Sequence, residues 1–328
     1  MALSFENPKE YITELIGTMI LVAIGCIAGS VTVNGNWWGY GAGTMSVGAA
    51  FALAFIGLIY CIGKYSNCHF NPLISLSMFI SGKMKAVETL WYVLAQLIGG
   101  IIGAVLSFLV LGIAYDTWNI FLFPSTYGGY FGGAELVGAI IIEFLLAFIL
   151  SYVAMRATDS GKIGMKSGAV IAVAMFGLIW VFGGMTFSAV NPAKSVGAAI
   201  AMLFSGIENH YEPLIQLWLF IIFPALGAVV GTFIYMIMES GEFDLNKYLS
   251  SIKKNKSEVA EDADDAEYSE EAVEETATEE TVDEPEEIPE IESEEEDALP
   301  EVESVDEESV PEIESEEKIA EDSETKTE

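Results

Sequence analysis

The sequence predicts an all-α membrane protein with six transmembrane helices and two re-entrant half-helices in an inverted repeat, followed by a disordered acidic tail. Long uncharged runs, two short apolar segments and an uneven distribution of charge predict this architecture. Residues 1–239 hold 8 Lys/Arg and 11 Asp/Glu, whereas residues 240–328 hold 6 basic and 37 acidic side chains. A nearly neutral body therefore precedes a polyanionic appendage. We expect a membrane domain over 1–240, a basic juxtamembrane segment over 241–256 and the acidic tail over 257–328.

The body cannot be a soluble domain, because its uncharged runs are too long. There are 49 residues without a charged side chain between Glu14 and Lys64, and 27 between Lys166 and Lys194. A spanning helix needs about 20 apolar residues, and only helices or closed barrels satisfy every backbone amide in lipid. We predict six spans, over residues 11–33, 43–63, 87–114, 133–156, 167–185 and 213–239.

Two further apolar segments, about 71–81 and 191–203, are too short to cross a bilayer. Each begins with an Asn-Pro dipeptide. Asn is a favoured helix N-cap, and Pro fits the first helical turn because its missing N–H would be unpaired there anyway. The two dipeptides are Asn71-Pro72 and Asn191-Pro192. Short hydrophobic pieces at matching places of two halves indicate re-entrant half-helices.

The two halves of the body repeat one pattern, because each has a glutamate in its first span and an Asn-Pro segment further on. The glutamates are Glu14 and Glu143. Three spans per half make the halves insert with opposite orientation, so the half-helix N-termini should meet near the midplane. Each N-terminus carries about half a positive charge. The paired Asn amides could then orient a passing water molecule and interrupt a proton wire, while cations meet a barrier.

The basic residues predict which side of the membrane is cytoplasmic. Nearly all of them fall on one side of the six spans, whereas the opposite loops, 34–42 and 115–132, contain no Lys or Arg. By the positive-inside rule, the basic side and both termini should be cytoplasmic. Lys194 alone breaks the pattern. A lone cation at the mouth of a re-entrant segment is a functional candidate, with an exposed surface lysine as the alternative.

Two motifs identify a family resemblance. The segment Ser66–Leu73 (SNCHFNPL) resembles the first signature of the major intrinsic protein (aquaporin) family, SGxHxNPA, and Asn191–Gly197 (NPAKSVG) resembles the second, NPARSxG. Paired motifs at this spacing are specific, and the resemblance covers about residues 8–240. It implies a passive channel for water, with glycerol or small neutral molecules and gases as further solutes. It also implies a homotetramer in the plasma membrane, without enzymatic activity, cofactor, metal or nucleic acid.

The resemblance assigns a selectivity filter near the extracellular mouth, formed by Phe51, Ile179, Ser188 and Lys194. Strict water channels usually carry His at the Ile179 position and glycerol facilitators usually carry Gly. Archaeal aquaporins are similar here, with Phe, Ile, Ser and Arg. An Ile adds no hydrogen-bonding group, so the pore should be wider or less polar than in a strict water channel. Ser195 stands where glycerol-conducting relatives usually carry Asp, which favours water.

Two departures from the family motifs bear on conduction. Ala193 matches the second motif, but Leu73 replaces the first Ala and should crowd or shift the junction of the half-helices. Lys194 replaces Arg, exchanging a rigid fork of donors for a flexible point charge. The barrier to cations should survive, while the positioning of water should weaken.

The remaining site residues support the loops. The family uses glutamates at the positions of Glu14 and Glu143 to accept hydrogen bonds from the re-entrant loops. We expect His69 to line the pore just on the cytoplasmic side of Asn71, to hydrogen bond within its loop, or both. The three cysteines are too few and too scattered for a disulfide framework or a metal site.

Three functions stay open at this level. The first is a water channel, with a glycerol or small-solute facilitator as its variant. The second is a secondary transporter, since inverted repeats also occur there. The third is a structural membrane protein whose tail recruits a partner that the sequence does not identify. The tail is rich in Glu and lacks Trp and Phe over 257–328, so we expect disorder.

Overall fold

The computed structural model describes residues 7–34, 42–128, 134–158, 161–187, 190–240 and Ser250. Over this part of the chain the structure is helical and contains no strand. The helices are α1 (Pro8–Asn34), α2 (Ala42–Ile62), α3 (Pro72–Ile80), α4 (Ala86–Ala114), α5 (Leu136–Ala157), α6 (Met165–Thr186), α7 (Pro192–Met202), α8 (Glu212–Ile215) and α9 (Leu217–Ser240). Apart from Ser250, the predicted basic segment and acidic tail lie outside the described residues, as does Ser188.

Six of these helices, α1, α2, α4, α5, α6 and α9, are long and apolar enough to cross a bilayer. The shortest has 21 residues, which is about 31 Å of helix and matches a hydrocarbon core of about 30 Å. By contrast, α3 has 9 residues and α7 has 11, so each reaches only about half that thickness. The prediction of six spans and two half-helices is confirmed.

The last span begins later than predicted. Instead of one helix from residue 213, the short helix α8 ends at Ile215 and α9 starts at Leu217. Between them, Gln216 accepts a hydrogen bond from the Tyr127 N–H on its Oε1 (2.8 Å) and donates one from its Nε2 to the Tyr127 carbonyl (3.1 Å). These bonds tie the break to the segment that precedes α5. Leu214 and Ile215 in α8 are as apolar as the start of α9, so hydropathy extends the predicted span back to residue 213.

In the first half, α1 and α4 pack with their backbones in close approach. A Cβ added at Gly99 would lie 2.3 Å from the carbonyl oxygen of Leu15, and one at Gly103 would lie 2.2 Å from that of Met19. Only glycine allows a neighbouring helix this near. Leu15 and Met19 are one and five residues after Glu14.

In the second half, α5 and α9 repeat this packing. A Cβ at Gly227 would lie 2.1 Å from the carbonyl oxygen of Phe144, and one at Gly231 would lie 2.4 Å from that of Phe148. Phe144 and Phe148 are again one and five residues after the buried glutamate, here Glu143. The inverted repeat read from the sequence is therefore present in the backbone contacts between helices.

Unlike a typical soluble protein, this protein exposes large apolar side chains and buries charged ones. Large apolar side chains of the spans are exposed, including Leu53 (70%), Val137 (67%) and Val173 (69%). Inside, fully buried positions include Glu14 and Lys194. A buried charge is costly unless it is hydrogen bonded, so the interior must supply polar partners along a path through the body.

Candidate pore and selectivity filter

The two half-helices begin with the same N-cap. The side-chain Oδ1 of Asn71 accepts a hydrogen bond from the N–H of Leu73 at 3.0 Å. The Oδ1 of Asn191 accepts one from the N–H of Ala193, also at 3.0 Å. Pro follows each Asn at the first helical position. Cap and proline act together, because the Asn side chain pairs one N–H of the first turn and proline has none to pair.

The two caps are also joined to each other across the repeat. The Nδ2 of Asn71 donates to the carbonyl of Val190 at 2.8 Å, and the Nδ2 of Asn191 donates to the carbonyl of Phe70 at 2.9 Å. Each accepting residue directly precedes the opposite Asn. Phe70 and Val190 both have positive φ angles, 48° and 54°, a strained backbone for these residue types that persists where surrounding contacts hold it.

Leu73 leaves this junction symmetric. Its main-chain N–H makes the same cap bond as Ala193, and the cross-bonds of the two halves have nearly equal lengths. The Leu73 side chain is buried in the core. The expected crowding or shift is therefore not visible in the hydrogen bonds of the junction. The effect on conduction stays a prediction.

Glu14 is buried and accepts four hydrogen bonds. Two come from the re-entrant loop backbone, the N–H groups of His69 (3.0 Å) and Phe70 (2.8 Å). The other two come from Ser66 Oγ (3.0 Å) and Gln96 Nε2 (2.8 Å). These donors compensate the loss of water around the carboxylate. They also fix the loop that carries the first Asn to the wall formed by α1 and α4.

Glu143 occupies the equivalent place in the second half. It is buried, and its Oε1 accepts a hydrogen bond from Thr186 Oγ1 at 2.7 Å. Thr186 stands five residues before Asn191, as Ser66 stands five before Asn71. Each glutamate thus binds a hydroxyl five residues before the Asn of its half. The loop-supporting role of Glu143 stays a prediction.

His69 joins three segments on the side of the junction opposite to Lys194. Its Nε2 lies 2.9 Å from the carbonyl oxygen of Gly161, and its Nδ1 lies 3.0 Å from Ser75 Oγ. A carbonyl only accepts, so Nε2 carries the proton and Nδ1 accepts from the Ser75 hydroxyl. Ser75 Oγ in turn accepts from Gln96 Nε2 at 2.9 Å. The ring of His69 thus bonds to α3 and to the α5–α6 connection rather than within its own loop, and the lining of the pore stays a prediction.

Lys194 is fully buried, so its interpretation as an exposed surface lysine is wrong. Its ammonium donates to the main-chain carbonyls of Phe123 (2.5 Å) and Phe187 (2.6 Å) and lies 4.9 Å from the centroid of the Phe123 ring. Both acceptors have left-handed backbone, with φ of 55° and 51°. The lysine is held by two carbonyl dipoles and an aromatic face.

The other described filter candidates line the same interior. Phe51 is buried against α1, where a Cβ at Gly25 would lie 1.9 Å from its Cζ. Ile179 is buried on α6.

A family comparison decides between the classes that the sequence left open. The family model described as Major intrinsic protein matches residues 1–235. The chain belongs to the major intrinsic protein family.

Relatives in this family cover the whole helical body. Aquaporin Z from Photorhabdus laumondii is 32% identical over 235 residues, spanning 70% of this chain and 97% of that protein. Glycerol uptake facilitator protein-like 6 from Lactiplantibacillus plantarum is 31% identical over 237 residues, spanning 71% and 99%. The X-ray structure of the aquaglyceroporin from Plasmodium falciparum matches with a TM-score of 0.59 and 22% identity, covering 70% of this chain and 96% of that one. That likeness shows the fold.

Sequence reasoning missed the acceptors of Lys194 and the partner of His69. Phe123 lies in a segment, 120–126, that was predicted only as an extracellular loop, yet every residue of it is buried. The apolar composition of this segment was the one sequence feature that could have indicated its burial. Gly161 lies between α5 and α6, and no sequence feature indicated its contact with His69. Over the described residues, no group of three or more His, Cys, Asp or Glu could hold a metal ion.

Proposed function

We propose that this major intrinsic protein is a passive channel for osmotically driven water, with glycerol and small neutral molecules or gases as slower solutes. The observation that most supports this proposal is the junction of the half-helices, where two Asn side chains cap the helices and donate hydrogen bonds to the opposite half. The names of its relatives Aquaporin Z and Glycerol uptake facilitator protein-like 6 support water and glycerol as solutes.

The junction suits water for a specific reason. A side-chain amide has two N–H donors, and within the described residues each Asn Nδ2 uses one of them on a main-chain carbonyl. The second N–H of each is left for a molecule in the pore. A water that accepts from both amides points its hydrogens away from the midplane. That orientation breaks the chain of hydrogen bonds along which protons would hop, and the two helix N-termini repel cations.

The filter suits small neutral solutes. An ammonium has three N–H donors, and Lys194 uses two on Phe123 and Phe187, so one remains for a solute. Phe51 and Ile179 contribute only apolar surface, with Ser188 proposed as the fourth member. One donor beside an apolar wall gives a passing solute few hydrogen bonds in exchange for its hydration. Water, which is small, should pass faster than glycerol, which must shed more water.

The domain limits, orientation and assembly also belong to the proposal. We assign 1–240 to the channel, 241–256 to a basic juxtamembrane segment and 257–328 to the acidic tail, with both termini cytoplasmic in the plasma membrane. Exposed basic side chains at one end of the helices support this orientation, namely Lys9, Lys64, Lys85, Arg156, Lys162 and Lys166. A homotetramer rests on family resemblance.

Stopped-flow light scattering of proteoliposomes tests the function. An osmotic step with an impermeant solute should shrink vesicles containing the wild type faster than empty vesicles, and a glycerol step should give a slower, measurable re-swelling. Asn71→Asp keeps an N-cap acceptor but removes the amide donor and adds a negative charge, so water flux should fall strongly. Asn119→Asp, at an exposed position, is the matched control and should conduct like the wild type. Equal flux in wild-type and empty vesicles would refute the channel, and saturable, ion-coupled flux would support a secondary transporter.

A further inference from the structure

The position of the Lys194 ammonium depends on two strained main-chain carbonyls. Phe123 and Phe187 accept its hydrogen bonds, and both have left-handed φ angles. This backbone conformation turns each carbonyl toward the ammonium. Such conformations last only where neighbouring contacts over-determine them, so other residues must hold the two phenylalanines in place.

Phe187 is held by the helix that it ends. Its N–H donates to the carbonyl of Gly183 at 3.0 Å in the last turn of α6. Phe123 has no helix of its own. Its ring packs in the space left by Gly29, where a Cβ would lie 2.3 Å from its Cγ, and it meets the Phe187 ring edge-on at 5.0 Å. These contacts fix the ring of Phe123, and one residue earlier the Leu122 N–H donates to Met202 Sδ at 3.4 Å.

A pair of buried hydroxyls adds a constraint on the C-terminal side of Phe123. Ser125 Oγ lies 2.8 Å from Ser195 Oγ, and both side chains are 2% exposed. Ser125 follows Phe123 by two residues, and Ser195 follows Lys194 directly. A second hydrogen bond, between close chain neighbours of Phe123 and Lys194, therefore lies beside the bond from the Lys194 ammonium to the Phe123 carbonyl. One residue further on, the Thr126 N–H donates to the carbonyl of Thr186 at 3.0 Å, next to the other acceptor, Phe187.

We propose that the Ser125–Ser195 hydroxyl pair is the positioning element of the filter lysine and thereby sets the solute cut-off of the channel. The proposal rests on the channel function proposed above. Neither serine needs to touch the solute. The pair acts by holding the Phe123 carbonyl on the Lys194 ammonium, which keeps the ammonium against the wall and fixes the width of the passage. Without the pair, the Phe123 carbonyl can move away from the lysine, and the filter becomes wider and less selective.

The test compares solute selectivity in Ser125→Ala and Ser195→Ala with the wild type, using proteoliposomes and the ratio of glycerol to water permeability. We expect this ratio to rise by about two- to tenfold, the range that one net hydrogen bond supports. Ser205→Ala is the matched control. Ser205 Oγ donates to the carbonyl of Ile120 at 2.8 Å in the same segment, away from Phe123, so its loss should leave the ratio unchanged.

Two further variants separate positioning from a general structural role. In a Lys194→Met variant no ammonium remains for the serine pair to position. Adding Ser125→Ala to it should therefore leave the ratio of glycerol to water permeability unchanged. A change as large as in the wild-type background would overturn the proposal. Ser125→Thr keeps the hydroxyl and should keep the wild-type ratio, and it serves if an alanine variant fails to assemble. A conducting wild type with unchanged ratios in both alanine variants would also overturn the proposal. Absent water flux in the wild type would instead refute the channel function.

Discussion

Replacing Glu14 by Gln should strongly destabilise the first half of the channel, although the change removes only one charge and almost no volume. Both carboxylate oxygens act as acceptors for two donors each. Oε1 receives Ser66 Oγ and the His69 N–H, and Oε2 receives the Phe70 N–H and Gln96 Nε2. A glutamine has one acceptor oxygen, and its NH₂ would face two donors.

The magnitude follows from this count of bonds. A hydrogen bond to a charged group contributes about 1.5–3 kcal/mol, and a buried donor left unpaired costs its desolvation. Losing two such bonds should lower the free energy of unfolding by about 3–6 kcal/mol. Each carboxylate oxygen accepts from one main-chain N–H just before Asn71, so one of these groups would lose its acceptor. Osmotic water flux should therefore fall as well.

Unfolding of the detergent-solubilised protein by a denaturing detergent measures this difference, with helical circular dichroism as the signal. Glu239→Gln is the control. Glu239 pairs with Arg156, but both side chains are more than half exposed, and such surface pairs contribute about 0–1 kcal/mol. A Glu14→Gln variant that loses no more stability than Glu239→Gln, and conducts normally, would refute the assigned role of Glu14.

Three other substitutions have defined outcomes. Leu73→Ala should lose about 2–5 kcal/mol of stability, because it removes a buried leucine. It should retain water flux, because the Asn71 cap accepts from the main-chain N–H of residue 73, which alanine keeps; lost flux in a folded variant would contradict this. Lys194→Met should admit monovalent cations in a vesicle flux assay, whereas Lys194→Arg should exclude them, and equal exclusion by both would show that the charge is not the barrier. Gly227→Ala places a methyl 2.1 Å from a main-chain carbonyl of α5 and should cost about 1–3 kcal/mol in detergent unfolding. Gly57→Ala meets nothing within 4 Å, so its equal loss would contradict the packing argument.

The parts of the site predicted from sequence are those encoded locally. Asn-Pro before a short apolar run specifies a capped half-helix wherever it occurs, so the caps at Asn71 and Asn191 could be placed from the sequence. The spans follow from length and hydropathy alone. The break at Gln216 does not, because it depends on hydrogen bonds to the distant backbone of Tyr127.

The parts that could not be predicted depend on main-chain carbonyls of distant residues. A carbonyl carries no sequence signature, so neither Phe123 nor Gly161 could be named as the acceptor for Lys194 or His69. The direction of a carbonyl is set by backbone dihedral angles, and a left-handed φ at phenylalanine goes against the intrinsic preference of that residue. The serine pair escaped prediction for a related reason, since Ser125 and Ser195 are 70 residues apart in the chain.

The central claim is that water crosses the bilayer in contact with the paired Asn amides rather than through lipid. The temperature dependence of osmotic water permeability in wild-type proteoliposomes, compared with empty vesicles of the same lipid, tests it most directly. Water in a continuous pore keeps its hydrogen bonds. We therefore expect vesicles with the protein to show a higher water permeability, with a clearly lower activation energy, than vesicles of lipid alone. The same activation energy with and without protein, at verified reconstitution, would contradict it.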